Sequence, residues 1–507
     1  MKLIFTFFLV ITSSLLHSQE EVPPLNLLGK LTFPESVSDL ATYGGYLYVT
    51  GRDNLYLYDL TGGNPELITV IPVDHSEYSA RLYRWQNLLI RFWYVSLENH
   101  GIRFYDLRQP DNPLQIWELI PPQAGITDMN ALSGGFPSDN FVGCSVAKDY
   151  LFCPSYWAEG EPMDWYPDCC FVPYAIHLPD FEAAMLYTHY YELDGCRKKI
   201  KYSGGQIRYY RGEFFFPAEW STSHFLKSDL DSAIESGSTY WSPCLTGFPY
   251  CTDSCLQRTS FQYKDYYMTN GSAWPDPDHI VVFYLKDRIY DYNLWDATFL
   301  VNYLGSVNTI LAYESCAYVT KVTKVGGEEV FHLYNFDLSN LPLYAGVNEL
   351  ASRVTGAIAS NNRLYVASGD EVLLFDAARH DDHFPTGSVE VTLEGNILHF
   401  HGQVLDDDEI QAVYVRFGNQ FMAAKEFEEA EMPWPPPSPH QRPFDLPRRF
   451  DLYVDISLLA PGTYPVKTVA VDWEGSFTVI DEREIEIGST KFERATVPMD
   501  GRKKLTK

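Results

Sequence analysis

Between Val37 and Phe384 one phrase recurs seven times: a short alternating strand, a tight turn, an apolar and aromatic strand, a loop, and often an aromatic or Leu beside Asp-Leu. Its plainest copies are SDLATYGGYLYVTGRDNLYLYDL from Ser38, YSARLYRWQNLLIRFWYVSLENHGIRFYDL from Tyr78 and VTGAIASNNRLYVASGDEVLLFDA from Val354. A repeat of about 40 to 60 residues built only from strands cannot bury its own faces, and a ring of four-stranded blades packed face to face solves that problem. The phrase therefore predicts an all-β chain containing a seven-bladed β-propeller over residues 27–385.

First strands are expected at Ser38, Ser79, Gly143, Gln206, Thr259, Thr309 and Thr355, and second strands at Tyr46, Leu88, Tyr150, Glu213, Asp265, Cys316 and Arg363. Third strands are expected to end on Tyr58-Asp59-Leu60, Tyr105-Asp106-Leu107, Ser228-Asp229-Leu230, Phe336-Asp337-Leu338 and Phe375-Asp376-Ala377, with weaker versions at Pro179-Asp180-Phe181 and Lys286-Asp287. An Asp there accepts a hydrogen bond from the backbone N–H two residues on, so the recurrent Asp reads as a turn cap rather than a metal ligand. Residues 27–33, LLGKLTF, are expected to supply the outer strand of the last blade and so remove a free edge.

After Pro385 the period changes. Residues 388–488 hold about seven alternating strands with turn signals at Gly395, Asp406 to Asp408, Pro461-Gly462 and Glu474-Gly475. Residues 431–449, EMPWPPPSPHQRPFDLPRR, cannot enter a sheet and read as a Pro-rich loop. Residues 489–507, ending GRKKLTK, lack an apolar pattern and read as a flexible tail.

The repeats resemble the LVIVD-type repeat of secreted β-propellers, with GIRFYDLRQPDNPLQI from Gly101 as the closest match in the chain. That resemblance implies a fold and an exported protein, and carries little about activity. The C-terminal part resembles an immunoglobulin-like β-sandwich of the kind appended to exported bacterial proteins, in which a Pro-Gly-Thr-Tyr turn precedes a strand reading apolar-x-apolar-x-Asp. It lacks the Cys-Trp-Cys core of antibody domains, so the architecture alone is implied.

Residues 1–18, MKLIFTFFLVITSSLLHS, place one Lys ahead of an apolar run and small polar residues, the layout of a secretory signal peptide and too short for a membrane span. The mature chain is expected to be secreted or held at the cell surface. Its net charge is −29, and removing Lys2 with the signal takes this to −30. Such a field repels phosphate backbones and anionic membranes, which argues against a nucleic-acid partner.

Eight of the nine cysteines lie between Cys144 and Cys255. In an exported chain an even cluster reads as disulfides: Cys144 and Cys153 fall on neighbouring strands of the third repeat, whereas the pairing of Cys169, Cys170, Cys196, Cys244, Cys251 and Cys255 stays open. Cys316 has no companion and is expected to be a buried thiol.

In a propeller the loops from second to third strand, and from blade to blade, emerge on one face. Here residues 157–170, WAEGEPMDWYPDCC, and residues 271–279, GSAWPDPDH, enlarge the two-to-three loops of repeats three and five. The connections 121–141, 192–205 and 240–258 are long as well. This face is expected to hold Trp157, Glu159, Trp165, Asp168, Trp220, Trp274, Asp276 and Asp278, around a funnel lined by Arg81, Arg208 and Arg258. Indole faces beside carboxylates hold sugars or cationic groups. The alternative is that the tryptophans are the private core of a long loop and the acids its solvated rim.

Neither Asp276-Pro-Asp278 nor Asp406 to Asp408 has the ligand ladder of a calcium loop, and no cofactor is implied. No nucleophile elbow, zinc-protease helix, phosphate loop or dinucleotide fingerprint is present. The leading expectation is a binding or adhesion module for an extracellular glycan or protein. The competing one is an extracellular polysaccharide-active hydrolase using carboxylates of the same face.

Overall fold

The computed structural model describes residues 23–73, 79–96, 99–119, 145–157, 170–186, 190–193, 196–199, 207–210, 212–217, 222–236, 240–241, 246–247, 260–263, 266–273, 276–284, 298–301, 306–313, 316–337, 345–377, 384–406, 410–418, 420–427, 447–457, 459–472 and 476–487. The expected signal peptide, most of the Pro-rich insertion and the tail lie outside them. The described residues are mostly strands, arranged as successive antiparallel sheets in a β-propeller-like, all-β organisation.

Sheet one is a meander of Val37–Tyr43, Tyr46–Gly51, Asn54–Asp59 and Glu66–Pro72, each paired antiparallel to the next. Sheet two runs from Ser79–Trp85 to Leu114–Leu119, sheet three from Ser145–Ala147 to Glu182–Leu186 and sheet four from Arg208–Tyr210 to Thr246–Gly247. Sheet five runs from Ser260–Tyr263 to Thr298–Val301, and sheet six from Ser306–Tyr313 to Ala345–Leu350. Sheet seven is Val354–Ser360, Arg363–Ser368 and Glu371–Asp376, and Leu27–Thr32 adds to it antiparallel to Glu371–Asp376, as expected.

The inner strands read clearly because both their faces are covered. All six residues of Tyr46–Gly51 are buried, so the strand is an unbroken apolar and aromatic run. The outer strand Glu66–Pro72 is only partly covered and mixes exposed with half-buried positions. Turn caps form as expected: the Thr61 N–H donates to Asp59 Oδ1 at 2.8 Å, and the Arg108 N–H donates to Asp106 Oδ1 at 2.8 Å.

Three expectations are corrected. Ser228-Asp229-Leu230 does not close a third strand; it lies in the first half of a helix, Lys227–Glu235, which buries Leu230, Ala233 and Ile234 against sheets three and four. The segment 271–279 is a hairpin rather than an enlarged loop, with Gly271 opposite His279 and Ala273 opposite Asp276. Within the long connections, Tyr190–Leu193 pairs with Cys196–Lys199, and Tyr240–Trp241 joins sheet three parallel to Glu182–Leu186. Those backbone groups find ladder partners that a loop would not give them.

The chain divides into two compact units: residues 1–32, 142–357 and 366–380, and residues 33–141, 358–365 and 381–507. In the second unit the first strands of sheets one and two adjoin and run parallel. Asp39 Oδ2 accepts the Leu82 N–H at 2.9 Å, and further along both strands the Arg84 guanidinium lies 5.8 Å over the Tyr43 ring. In the first unit sheets three and four repeat the arrangement. Ser145 Oγ accepts the Ile207 N–H at 2.8 Å, and the Lys148 ammonium lies 5.7 Å over Tyr209, with aromatic and cation exchanged between strands. Parallel first strands bring like ends of neighbouring sheets to the same side.

The second unit also contains seven strands in two sheets, Thr386–Glu394, Ile397–Leu405 and Arg448–Asp455 in one, and Gln420–Glu426, Ile410–Phe417, Gly462–Asp472 and Phe477–Ile487 in the other. Between them Phe400, Leu452, Val413, Val415 and Val466 form a closed apolar core. This sandwich docks on the turns of sheet one. The Arg416 Nη2 donates to Asp59 Oδ2 at 2.8 Å with its guanidinium 4.6 Å from the Tyr46 ring, and the Tyr414 hydroxyl donates to the Gly44 carbonyl. Gly44 has φ +56°, and a Cβ there would stand 2.9 Å from the Tyr414 ring, so backbone conformation and close approach both require glycine.

Candidate functional site

In each sheet the second strand begins and the third ends at the same place, just past the first turn, so their lengths measure how far each hairpin projects. In sheets one and seven both strands have 6 residues. They have 9 and 8 in sheet two, 8 and 8 in sheet three, 8 and 9 in sheet five and 10 and 10 in sheet six. At about 3.4 Å per residue, two to four extra residues carry a tip about 7 to 14 Å further. In sheet six the tip is Gly326 and Gly327, at φ +65° and +95°, beside a Val325 that is 65% exposed. Two consecutive positive φ values are what a two-residue hairpin turn needs.

The expected site residues map onto these hairpins only in part. Trp157 ends the second strand of sheet three with Cys170 as its register partner, and Asp276 and Asp278 open the third strand of sheet five. These three are in strands rather than in loops. Glu159, Trp165, Asp168, Trp220 and Trp274 lie outside the described residues, as do Cys144, Cys169, Cys244, Cys251, Cys255 and Arg258. Cys153 and Cys196 are in strands, and Cys316 is a buried thiol, as expected. Arg81 is half-buried in the first strand of sheet two, 3.9 Å from Asp39. Burial pushes the Asp39 carboxyl up, and Arg81 partly offsets this.

At the opposite end, where first strand turns into second, the structure gathers ionisable groups that the repeat pattern did not single out. In sheet three the Tyr150 hydroxyl donates to Asp231 Oδ1 at 2.7 Å, and Lys227 Nζ reaches the same carboxylate at 2.9 Å and Asp149 at 3.6 Å. These contacts pin the helix to sheet three. Burial first, then the hydrogen bond to Asp231, pushes the Tyr150 hydroxyl well up. The signal for the helix was the spacing of Leu230, Ala233 and Ile234.

In the second unit the Tyr43 hydroxyl meets Glu426, and Arg84 approaches both. Burial pushes Glu426 up while Arg84 draws it back, and burial lowers Arg84 itself. Beside them lies a cleft of about 610 Å³ lined by Asn87, Arg108 and Gln109 of sheet two and by the consecutive residues Met422, Ala423, Ala424, Lys425 and Glu426. Arg108 is held by its own neighbour Asp106, Nε to Oδ2 at 2.6 Å. Among the described residues no group of three His, Cys, Asp or Glu side chains is arranged to hold a metal ion, and no helix is long and apolar enough to cross a membrane.

No family model matches the chain, and no curated protein matches it. Solved structures do. A computationally designed protein, Ika8, is 9% identical with a TM-score of 0.38, covering 70% of this chain and 99% of its own. A chain of the mitotic checkpoint complex is 11% identical with a TM-score of 0.39, covering 71% and 93%. The WD40 domain of SCAP from fission yeast is 9% identical with a TM-score of 0.34, covering 68% and 85%. Likeness at this level carries no argument about what the chain does.

Proposed function

We propose that the chain is a secreted or surface-held binding module: a seven-bladed β-propeller with LVIVD-type repeats, followed by an immunoglobulin-like sandwich. It recognises an extracellular glycan or protein through the inserted face of blades three to five, to which the projecting hairpins of sheets three and five contribute. The observation that carries this reading is the unequal hairpin length. A meander needs no more than the 6-residue strands of sheets one and seven to pack, and the longer hairpins of sheets three and five are where Trp157, Asp276 and Asp278 lie. Indoles cover apolar C–H patches and carboxylates accept hydrogen bonds from hydroxyl or ammonium groups, which suits a sugar or a cationic side chain.

Binding and hydrolysis predict different outcomes on the same material. The purified protein is applied to immobilised extracellular polysaccharides and to a glycan and peptide array, and both retention and release of reducing ends are measured. Retention without release is expected. Turnover that disappears in Asp168→Asn would replace the binding reading with a hydrolase. Burying one indole against a ligand contributes about 1 to 3 kcal/mol, so Trp157→Ala or Trp274→Ala should weaken retention about tenfold. Lost thermal stability with unchanged retention in both variants would instead make those indoles part of the hairpins' own packing.

A further inference from the structure

We propose that the cleft beside Gln420–Glu426 is a strand-addition site, taking an extended peptide segment of a partner protein, neutral or basic in net charge, by backbone hydrogen bonds to Ala424 and Glu426.

Gln420–Glu426 is the edge of its sheet: it pairs with Ile410–Phe417 on one side and with no other strand among the described residues. Its lining pattern shows which part of the strand the cleft meets. A strand face presents alternate residues, whereas Met422, Ala423, Ala424, Lys425 and Glu426 line the cleft without a gap. An uninterrupted series is what a strand offers along its edge.

The ladder fixes which backbone groups point away from Ile410–Phe417. Phe427 N donates to Gln411 O at 2.9 Å, so residue 427 turns its backbone toward Ile410–Phe417. Backbone direction alternates in an antiparallel strand, so Lys425 and Ala423, opposite Val413 and Val415, do the same. Glu426 and Ala424 therefore direct N–H and C=O outward, spaced as an incoming strand requires. The register shift between Val415 and Arg416 places Met422 at the bulge and ends the regular edge there.

The remaining lining fits a peptide. Ala423 and Ala424 are short and leave room for the incoming strand's side chains. An added strand has a second edge of its own, and the cleft's other contributors include Asn87 and Gln109, whose amides each donate and accept. The five lining residues span about 14 Å at about 3.4 Å per residue, room for four or five residues of peptide. Strand addition obtains its affinity from main-chain hydrogen bonds and its selectivity from alternate side-chain pockets. A net charge of −29 opposes self-association and favours a partner segment without excess negative charge.

The test pans a displayed library of Gly-flanked random heptapeptides on the full-length protein, then synthesises the retained sequences. Amide hydrogen exchange should slow at Ala424 and Glu426 on peptide binding while Ala423 and Lys425, already in the ladder, change little. Peptides N-methylated at the two facing positions should bind the unaltered protein at least tenfold more weakly. Ala424→Pro removes an outward N–H that the ladder does not use, is tolerated at a sheet edge, and should abolish capture with far-UV circular dichroism unchanged. Equal binding of the N-methylated peptides, or no protection at Ala424 and Glu426, would overturn the proposal. So would concentration-dependent protection of those amides without peptide, which would identify a second copy as the occupant.

Discussion

Breaking the ion pair between Asp59 and Arg416 tests whether the sandwich and sheet one form a single packed unit. The Arg416 side chain is 1% exposed and that of Asp59 12%, so neither partner can recover hydration when the other is removed. Loss of one member of such a pair costs about 3 to 5 kcal/mol, whereas replacing both by uncharged groups of similar size is close to neutral. Asp59→Asn keeps an acceptor for the Thr61 N–H, so the turn survives and only the charge goes. It is expected to cost about 3 kcal/mol, because Arg416 stays buried against Tyr46 with no carboxylate. Arg416→Met should cost about as much, and the double variant no more than about 1 kcal/mol. Urea unfolding followed by tryptophan fluorescence gives the cycle, and a departure from additivity of at least about 2 kcal/mol is expected. Burial alone would raise the Asp59 carboxyl, but Arg416 and Thr61 outweigh it and hold the group below its ordinary value. A depressed value contributes stability above the ordinary carboxylate range and loses it as pH falls through the depressed value, so the cost of Asp59→Asn should shrink in acid. Additive single costs, or a cost that does not change with acid, would refute the reasoning.

Gly44→Ala should cost about 1 to 3 kcal/mol through its positive φ and the Tyr414 ring, seen as a lower midpoint in thermal melts. Glu426 behaves oppositely to Asp59: its raised value means that the folded chain favours the protonated carboxyl, so its contribution weakens as pH rises from the ordinary carboxylate range through the raised value. Glu426→Gln should therefore gain relative to the unaltered chain as pH rises through that range in urea titrations. Ser145 stands opposite Phe152, Val146 opposite Leu151 and Ala147 opposite Tyr150. Cys153 follows Phe152 in the second of these strands, and mass mapping of a non-reduced digest of exported protein is expected to join it to Cys144. Two free thiols would count against the reading of these cysteines as disulfides.

Where the sequence could be read, the reason is burial on both faces. Every second strand begins within one residue of its expected start and every first strand within three, because covered strands are apolar runs ended by turn residues. Asp-Leu failed as a marker because one dipeptide serves two structures. At Asp59-Leu60 the carboxylate caps a turn, while at Asp229-Leu230 it enters a helix whose 3-to-4 spacing is carried by Leu230, Ala233 and Ile234. The docking of Arg416 on Asp59 joins residues 357 apart and leaves no local pattern. The hairpin at Asp276 was hidden by Pro277, a residue type that usually marks a loop but here lies at the start of an extended strand.

The two ends of each sheet have different tasks, and this bears on where chemistry can be sought. At the first-turn end, shifted ionisable groups are common, and a cluster of shifted groups is ordinarily a reason to look for catalysis. Here each shift comes from burial within a packing contact: Asp231 and Lys227 fasten a helix to Tyr150, Arg416 fastens the sandwich to Asp59, and Arg84 and Glu426 close on Tyr43. At the hairpin end sheet one has a tie of its own, where Glu35 accepts from Asn54 Nδ2 at 2.8 Å and from the Tyr56 hydroxyl at 2.7 Å, but strand length there is not fixed. The hairpin strands vary from 5 residues in sheet four to 10 in sheet six while the first turns keep their places. A meander held at one end can lengthen and exchange residues at the other without disturbing its core. Recognition is therefore expected to follow the long hairpins, whereas substitutions among the coupled ionisable groups should register as lost stability.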